Sequence, residues 1–262
     1  MARLWRLDLP LSTTPPSDSY FDRAAFARLA ESEPGHFWFE ERNRLIGWAL
    51  RRYFPAGGSF CEVGCGTGFV LQAIAAEFPG LNLIGVDVFP EGLVFARRRV
   101  ARARLLCSDL FAQFLDEAVD VVGAFDILEH IPDDTAALLR LRDLIRPGGG
   151  LLLTVPQHPS LWSIADEIGH HQRRYARGEL HHKVEAAGFS VLRLTSFMFF
   201  PLPALWWNRR RARQPERVLA ELRPSRPANG LLRGVLRLER GLIRAGADLP
   251  VGGSLLLAAR RA

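Results

Sequence analysis

The sequence predicts an α/β fold built on a doubly wound, mostly parallel sheet of seven strands. Three observations predict it. From Ser59 onward, short runs that are apolar on both faces alternate with amphipathic segments, the pattern of parallel strands covered by helices on both sides. A glycine-rich turn, Gly64-Cys65-Gly66-Thr67-Gly68, joins the first run to the first amphipathic segment. Two acids, Asp87 and Asp109, close the second and third runs, where open sheets of this kind bind their ligands.

The elements follow in order. Residues 11–19, LSTTPPSDS, carry the Pro and Ser punctuation of a linker, and residues 21–31 and 37–53 read as two helices. Pro55, Gly57 and Gly58 stop the second. The strands SFCEVG, LNLIGVDV, ARLLCS, VDVVGAFDIL and GGLLLTV then alternate with helices over residues 69–78, 91–100 and 134–145. Residues 156–175 form a loop, 176–187 a helix, and 190–200 and 254–259 the last two strands, a hairpin-like pair split by an excursion. The organisation expected is an N-terminal linker and helices (1–54), a core (55–200), a basic helical insertion (201–250) and a final strand returning to the core (251–262).

With 262 residues and 48% apolar content, the chain can bury one substantial core, which excludes a disordered or fibrous class. Cys61, Cys65 and Cys107 lack the paired spacing of a zinc site or disulfide framework, as expected of a reducing compartment. No run approaches the roughly 20 apolar residues of a membrane span, so a cytoplasmic protein is expected. Residues 209–262 hold 13 arginines against Glu216, Glu221, Glu239 and Asp248, so the positive net charge belongs to the tail. No nucleic-acid module accompanies that charge, and nucleic acid is not an expected partner.

Glycines at 64, 66 and 68 are what a tight strand-to-helix turn needs when backbone must approach a ligand closely. Phe69 stands where a dinucleotide fingerprint requires glycine, and no phosphate-loop lysine follows, so the ligand need not carry phosphate. Asp87 suits the two hydroxyls of a ribose and Asp109 an adenine amino group. Taken singly, each acid reads equally as a helix cap.

Together, EVGCGTG, VDVF, CSDL, FDILEHIPD and LRPGGGLLLTVP resemble the class I S-adenosylmethionine-dependent methyltransferases, the broad group that includes the ubiquinone-biosynthesis O-methyltransferases, over residues from about 36 to 200. The resemblance implies S-adenosyl-L-methionine as cofactor. It places Glu62, Gly64, Cys65, Gly66 and Gly68 around it, Asp87 on the ribose, Asp109 at the adenine edge and Phe125 near the sulfonium. It also implies an antiparallel pair at the end of the sheet. The expected function is methyl transfer to a small-molecule or lipid-like acceptor at oxygen. The alternatives are a metal-assisted RNA 2′-O-methyltransferase and a cofactor-binding protein without activity; the complete motif set argues against the latter.

Loop 156–175 should overhang the cofactor, and loops of its length are usually functional. His171 and His130 are the candidate catalytic residues, and Trp162, Arg173, Arg174 and Tyr175 the candidate substrate contacts. The competing reading makes Arg173 and Arg174 surface ion pairs and Tyr175 the start of the next helix. No metal is expected, but the D-x-x-E-H of Asp126, Glu129 and His130 resembles the E-x-x-E-H ligand set of small-RNA 3′-end methyltransferases, with Asp in place of the first Glu and His171 as a fourth ligand. Phe37, Trp38 and Phe39 read either as core or as a lid. Residues 197–247, with Trp206 and Trp207 followed by Arg209, Arg210 and Arg211, and with an apolar stripe at Leu231, Leu232, Val235, Leu238, Leu242 and Ile243, read either as a peripheral membrane contact or as a stripe packed on the protein's own core with the arginines as a solvated face.

Overall fold

The computed structural model describes residues 25–56, 58–211 and 224–262. The linker at 11–19, the first four residues of the helix expected at 21–31, Gly57, and residues 212–223 of the basic segment lie outside the described residues.

Two helices lead in, α1 (Ala25–Ser32) and α2 (Phe37–Tyr53). The alternating unit follows: β1 (Ser59–Val63), α3 (Phe69–Glu77), β2 (Asn82–Asp87), α4 (Pro90–Arg99), β3 (Arg104–Cys107) and β4 (Val119–Phe125). After a 3-10 turn at Leu128–His130 come α5 (Asp134–Asp143) and β5 (Ile145–Pro156). The loop expected at 156–175 is not structureless: it holds a 3-10 turn at Pro159–Leu161 and a short helix α6 (Ile164–Ile168). Then come α7 (Arg177–Ala186), β6 (Phe189–Phe197), α8 (Leu202–Arg211), α9 (Arg226–Arg244) and β7 (Ser254–Arg261).

The sheet order is β3-β2-β1-β4-β5-β7-β6. β1 to β5 run parallel, and β7 pairs antiparallel with both β5 and β6. The chain reverses direction twice between β5 and β6, so β6 ends at the same edge as β5. The carboxyl ends of six strands therefore share one edge. The order switches between β1 and β4, which leaves a crevice above β1.

Parallel strands buried on both faces need a helical layer on each. On one face, Val122, Leu151, Leu153 and Leu257 pack with Leu138 and Leu141 of α5 and Leu180 and Val184 of α7. On the other, Phe60, Val121, Leu152 and Leu256 pack with Ile46 and Leu50 of α2 and Leu71 and Ile74 of α3. Helix α9 joins this second layer through Leu236 and Ile243, each worth roughly 1.5–3 kcal/mol of burial. Its Arg240 donates to Glu41 of α2 at 2.8 Å, and its Asn229 accepts from the Phe37 N–H at 2.9 Å, completing the N-terminal end of α2. Buried Glu239 accepts from the backbone N–H groups of Met198, Phe199 and Phe200, at 2.6, 2.9 and 3.2 Å. That explains why β6 stops at Phe197 although the apolar run continues to Phe200. No helix among the described residues is long and apolar enough to cross a membrane.

Candidate active site

The crevice above β1 is built by the glycine turn. Gly64, Gly66 and Gly68 all have positive φ, at 70°, 50° and 75°. At Gly68 a Cβ would stand 2.7 Å from the Ala96 Cα, so only glycine lets the turn lie against α4. Helix α1 lies over the turn: Phe26 faces Gly66, and Thr67 donates to buried Glu33, which also pairs with Arg99. Sequence reading missed this contribution of α1, because Glu33, Thr67 and Arg99 are far apart in the chain and form no local motif.

Glu62 sits on β1 between Gly85 of β2 and Gly123 of β4 in register. It is buried, its Oε2 has no hydrogen-bond partner among the described residues, and burial holds its pKa well above the usual carboxylate range, with Arg42 opposing that shift. Asp87, at the end of β2, accepts from the Gly66 N–H at 2.7 Å and the Phe89 N–H at 2.9 Å. Burial pushes its pKa up to about 6 in spite of those donors. Each of its oxygens keeps a further lone pair for a ligand. Asp109 is half-buried after β3 and accepts from the Phe111 N–H at 2.8 Å in a local turn that no helix follows, so it does not cap a helix. Cys65 is a buried thiol whose pKa burial raises. Phe125 does not project from the strand end; its ring lies back over Gly123 in the buried layer with Phe60. A crevice walled by backbone, with one buried unpartnered carboxylate oxygen and one strand-end aspartate, suits a ligand bearing a protonated amine and a ribose.

A second group of side chains abuts this turn, since Ile127 fills the space that a side chain on Gly64 would need. Beyond Ile127, Glu129 and His130 stand on the 3-10 turn, and loop 156–175 folds down onto them. The Gln172 N–H donates to the Glu129 carbonyl at 2.7 Å, and a bridge between Gln157 and Tyr175 closes the loop at its base. Asp166 organises the loop from within. It is fully buried, closes a capping box with Ser163, pairs with Arg174 at 2.8 Å and lies 2.9 Å from His171 Nδ1. Ser163-x-x-Asp166 is a capping-box spacing, so the signal for this residue was present in the sequence.

This geometry corrects several expectations. Arg174 and Tyr175 cannot meet a substrate: Arg174 is buried against Asp166 and the Gln157 carbonyl, and Tyr175 is fully buried with its hydroxyl donating to Asp134 at 2.9 Å. Arg173 is held by Asp134 and the Pro132 carbonyl. Of the four expected contacts, Trp162, 40% exposed, and Arg173, whose side chain is 25% exposed, keep accessible surface. The alternative metal set also divides. Asp126, at φ 55°, pairs with Arg42, whose guanidinium stacks on Trp38 at 4.5 Å. Glu129, His130 and His171 stay together, with the two imidazoles edge to face at 4.8 Å. Burial raises the pKa of Glu129 well above its usual range; burial and then the neighbouring His171 lower that of His130 to about 4. Phe37 and Phe39 are buried core residues, and Trp38 is the partly exposed member of the three.

Fold and crevice define a class: a doubly wound domain of the methyltransferase type. Comparison with known proteins names the family. The family described as "Methyltransferase domain" matches residues 19–194, and the chain belongs to it. Among its relatives, trans-aconitate 2-methyltransferase of Methylobacterium radiotolerans is 35% identical over 120 residues, covering 45% of this chain and 46% of that protein. Ubiquinone biosynthesis O-methyltransferase of Pseudomonas aeruginosa is 28% identical over 157 residues, covering 53% and 67%. Among solved structures, Haemonchus contortus phosphoethanolamine N-methyltransferase 2 in complex with S-adenosyl-L-methionine superimposes with a TM-score of 0.56 at 22% identity. It covers 84% of this chain and 52% of that one. The chain thus spans about half the length of two of these three proteins.

Proposed function

We propose that the chain methylates a hydroxyl oxygen of a small, lipid-like molecule presented at a membrane surface. The observation that carries this reading is the contact of two dissimilar half-sites at one sheet edge: the glycine crevice with Glu62 and Asp87, and the cluster of Glu129, His130 and His171 just beyond Ile127. In this reading Glu62 takes the amine of the cofactor, the Gly64, Gly66 and Gly68 turn lets its chain lie close, Asp87 holds the ribose and Asp109 the adenine edge. S-adenosyl-L-methionine supplies a methyl group already activated by its positive sulfur. The protein's part is then alignment of the acceptor oxygen with that methyl, and removal of the hydroxyl proton. Glu129, His130 and His171 are the groups placed to accept or relay that proton, with His171 oriented by Asp166.

The outer face of α9 supports a lipid-like acceptor. Its inner face carries Leu232, Leu236 and Ile243; Leu231, Leu238 and Leu242 point outward and are exposed, beside exposed Arg237 and Arg244. The single leucine stripe expected from sequence is therefore two stripes. Phe200, Trp206 and Trp207 are also exposed, and they follow β6 from the same sheet edge as the site. Apolar side chains with exposed tryptophans and exposed arginines suit an anionic bilayer surface.

Incubation of the protein and methyl-labelled cofactor with separated lipid and polar extracts tests the reading. Label should enter the lipid fraction in a form stable to mild alkali, as an ether is. Label in an alkali-labile ester or in the polar fraction would overturn it.

A further inference from the structure

We infer that Asn229 and Arg233 of α9 are positioning residues for the cofactor: they hold the hinge of α1, and α1 is the lid over the glycine crevice. The inference rests on the reading of that crevice as the cofactor site.

The lid is seen in what Phe26 touches. Its ring packs on Phe89 with centroids 5.6 Å apart, and it faces Gly66 and Gly92, where an added Cβ would stand 3.8 and 2.9 Å from it. Gly66 and Phe89 are the two residues whose N–H groups hold Asp87. One side chain of α1 therefore covers both backbone donors that fix the strand-end carboxylate. Among the described residues of α1 only Phe26 is buried, so the helix has no apolar face to hold it down. Elements with so little buried contact are the ones that open locally. Just past the end of α1, Glu33 accepts from Thr67 at 2.7 Å and pairs with Arg99, which also donates to the Ala30 carbonyl at 2.8 Å. These bonds join α1 to the glycine turn and to α4, and they form only when the helix is closed on both.

The direction of α1 is set at its joint with α2. Gly35, at φ 77°, turns the chain between the two helices. Asn229 braces both sides of that turn with one amide: its Nδ2 donates to the Gly35 carbonyl at 2.9 Å, and its Oδ1 accepts from the Phe37 N–H at 2.9 Å. Arg233, one helical turn further along α9, donates to the same carbonyl. Helix α9 is anchored independently of α1, because Leu236 and Ile243 are buried in the layer with α2 and Arg240 is bonded to Glu41. The fixed base is α2 with α9, and the part free to swing about Gly35 is α1. Retention of the cofactor is thus set by residues far along the chain from the crevice.

Asn229→Asp separates the hinge from the helix that the same amide caps. The carboxylate still accepts from the Phe37 N–H at the positive end of α2, but it has no proton to donate to Gly35. In the cofactor-free protein, Asn229→Asp and Arg233→Met should each speed amide hydrogen exchange of residues 29–33 about tenfold, the size of one lost hydrogen bond, and leave exchange in α2 as in the parent. Gly234→Ala, which adds a methyl to the same helix in open space, should accelerate neither. Release of S-adenosyl-L-methionine, followed by displacement in stopped flow, should quicken about tenfold in the two hinge variants and at least as much in Phe26→Ala. Unchanged exchange in α1, or equal acceleration in α1 and α2, overturns the hinge. Faster exchange with an unchanged release rate overturns the lid. A parent protein that binds no S-adenosyl-L-methionine defeats the reading of the crevice instead, and the exchange measurement still decides the hinge.

Discussion

The two halves of the site are made in different ways. The half proposed for the methyl donor is backbone: three glycines at positive φ, and an aspartate bonded to N–H groups of its own turn and of the glycine turn beside it. The acceptor half is side chains joined across the fold, with Asp166 holding Arg174 and His171, and Asp134 holding Tyr175, Lys183 and Arg173. A backbone site is written in consecutive residues and keeps its shape wherever the fold forms. A side-chain site exists only once distant segments meet, and it fails when one partner is removed.

That contrast makes damage to the two halves separable. Arg174→Met leaves Asp166 buried without its guanidinium and should cost about 3–5 kcal/mol in urea unfolding. Cofactor affinity by calorimetry should stay within about twofold of the parent, because the crevice above β1 is untouched; a large loss would show that the halves are coupled. Gly68→Ala attacks the other half. The left-handed backbone and the contact with Ala96 should together cost about 2–4 kcal/mol and abolish cofactor binding. Retained affinity would mean that the turn does not hold the cofactor.

Tyr175→Phe is milder. It removes one hydrogen bond to a carboxylate that Lys183 and Arg173 still serve, so a loss of about 1.5 kcal/mol is expected in the same unfolding assay. A change in turnover without any change in stability would restore a substrate role for this residue.

The finest test is the pH dependence of cofactor affinity. In the proposed role, the Asp87 carboxyl, raised to about 6 by burial, accepts from both ribose hydroxyls only when ionised. As pH falls through 6, affinity should weaken by up to about 1.4 kcal/mol per pH unit, and Asp87→Asn should flatten the profile at a weaker level. Folding of the cofactor-free chain carries the opposite sign. A carboxyl whose folded pKa lies above its unfolded one contributes stability below about pH 4, and loses it as pH rises through 6. An unchanged profile in Asp87→Asn would remove this residue from the ribose.

Much of the donor half was legible because its signals are local. Three glycines in five residues and acids at successive strand ends need no knowledge of the rest of the chain. Phe125 was misjudged because strand position sets the face of the sheet but not the rotamer: Gly123 leaves room for the ring to fold back. Arg174 and Tyr175 were misjudged because a run of polar residues in a long loop looks available for ligands. Their partners, Asp134 and Asp166, could not be paired with them from spacing alone.

What the sequence determined by itself was the order of strands and helices, the glycine crevice and the chemistry of its ligand, since each rests on periodicity or on backbone freedom within a few residues. Tertiary structure alone decided which charges are spent on holding the chain together and which stay unsatisfied. Arg42 neutralises Asp126 from 84 residues away, while Glu129, three residues further on, is left buried beside two histidines with no hydrogen-bond partner for its carboxylate among the described residues. A charge is satisfied only by what the fold brings within a few ångströms, and that distance is not written along the chain.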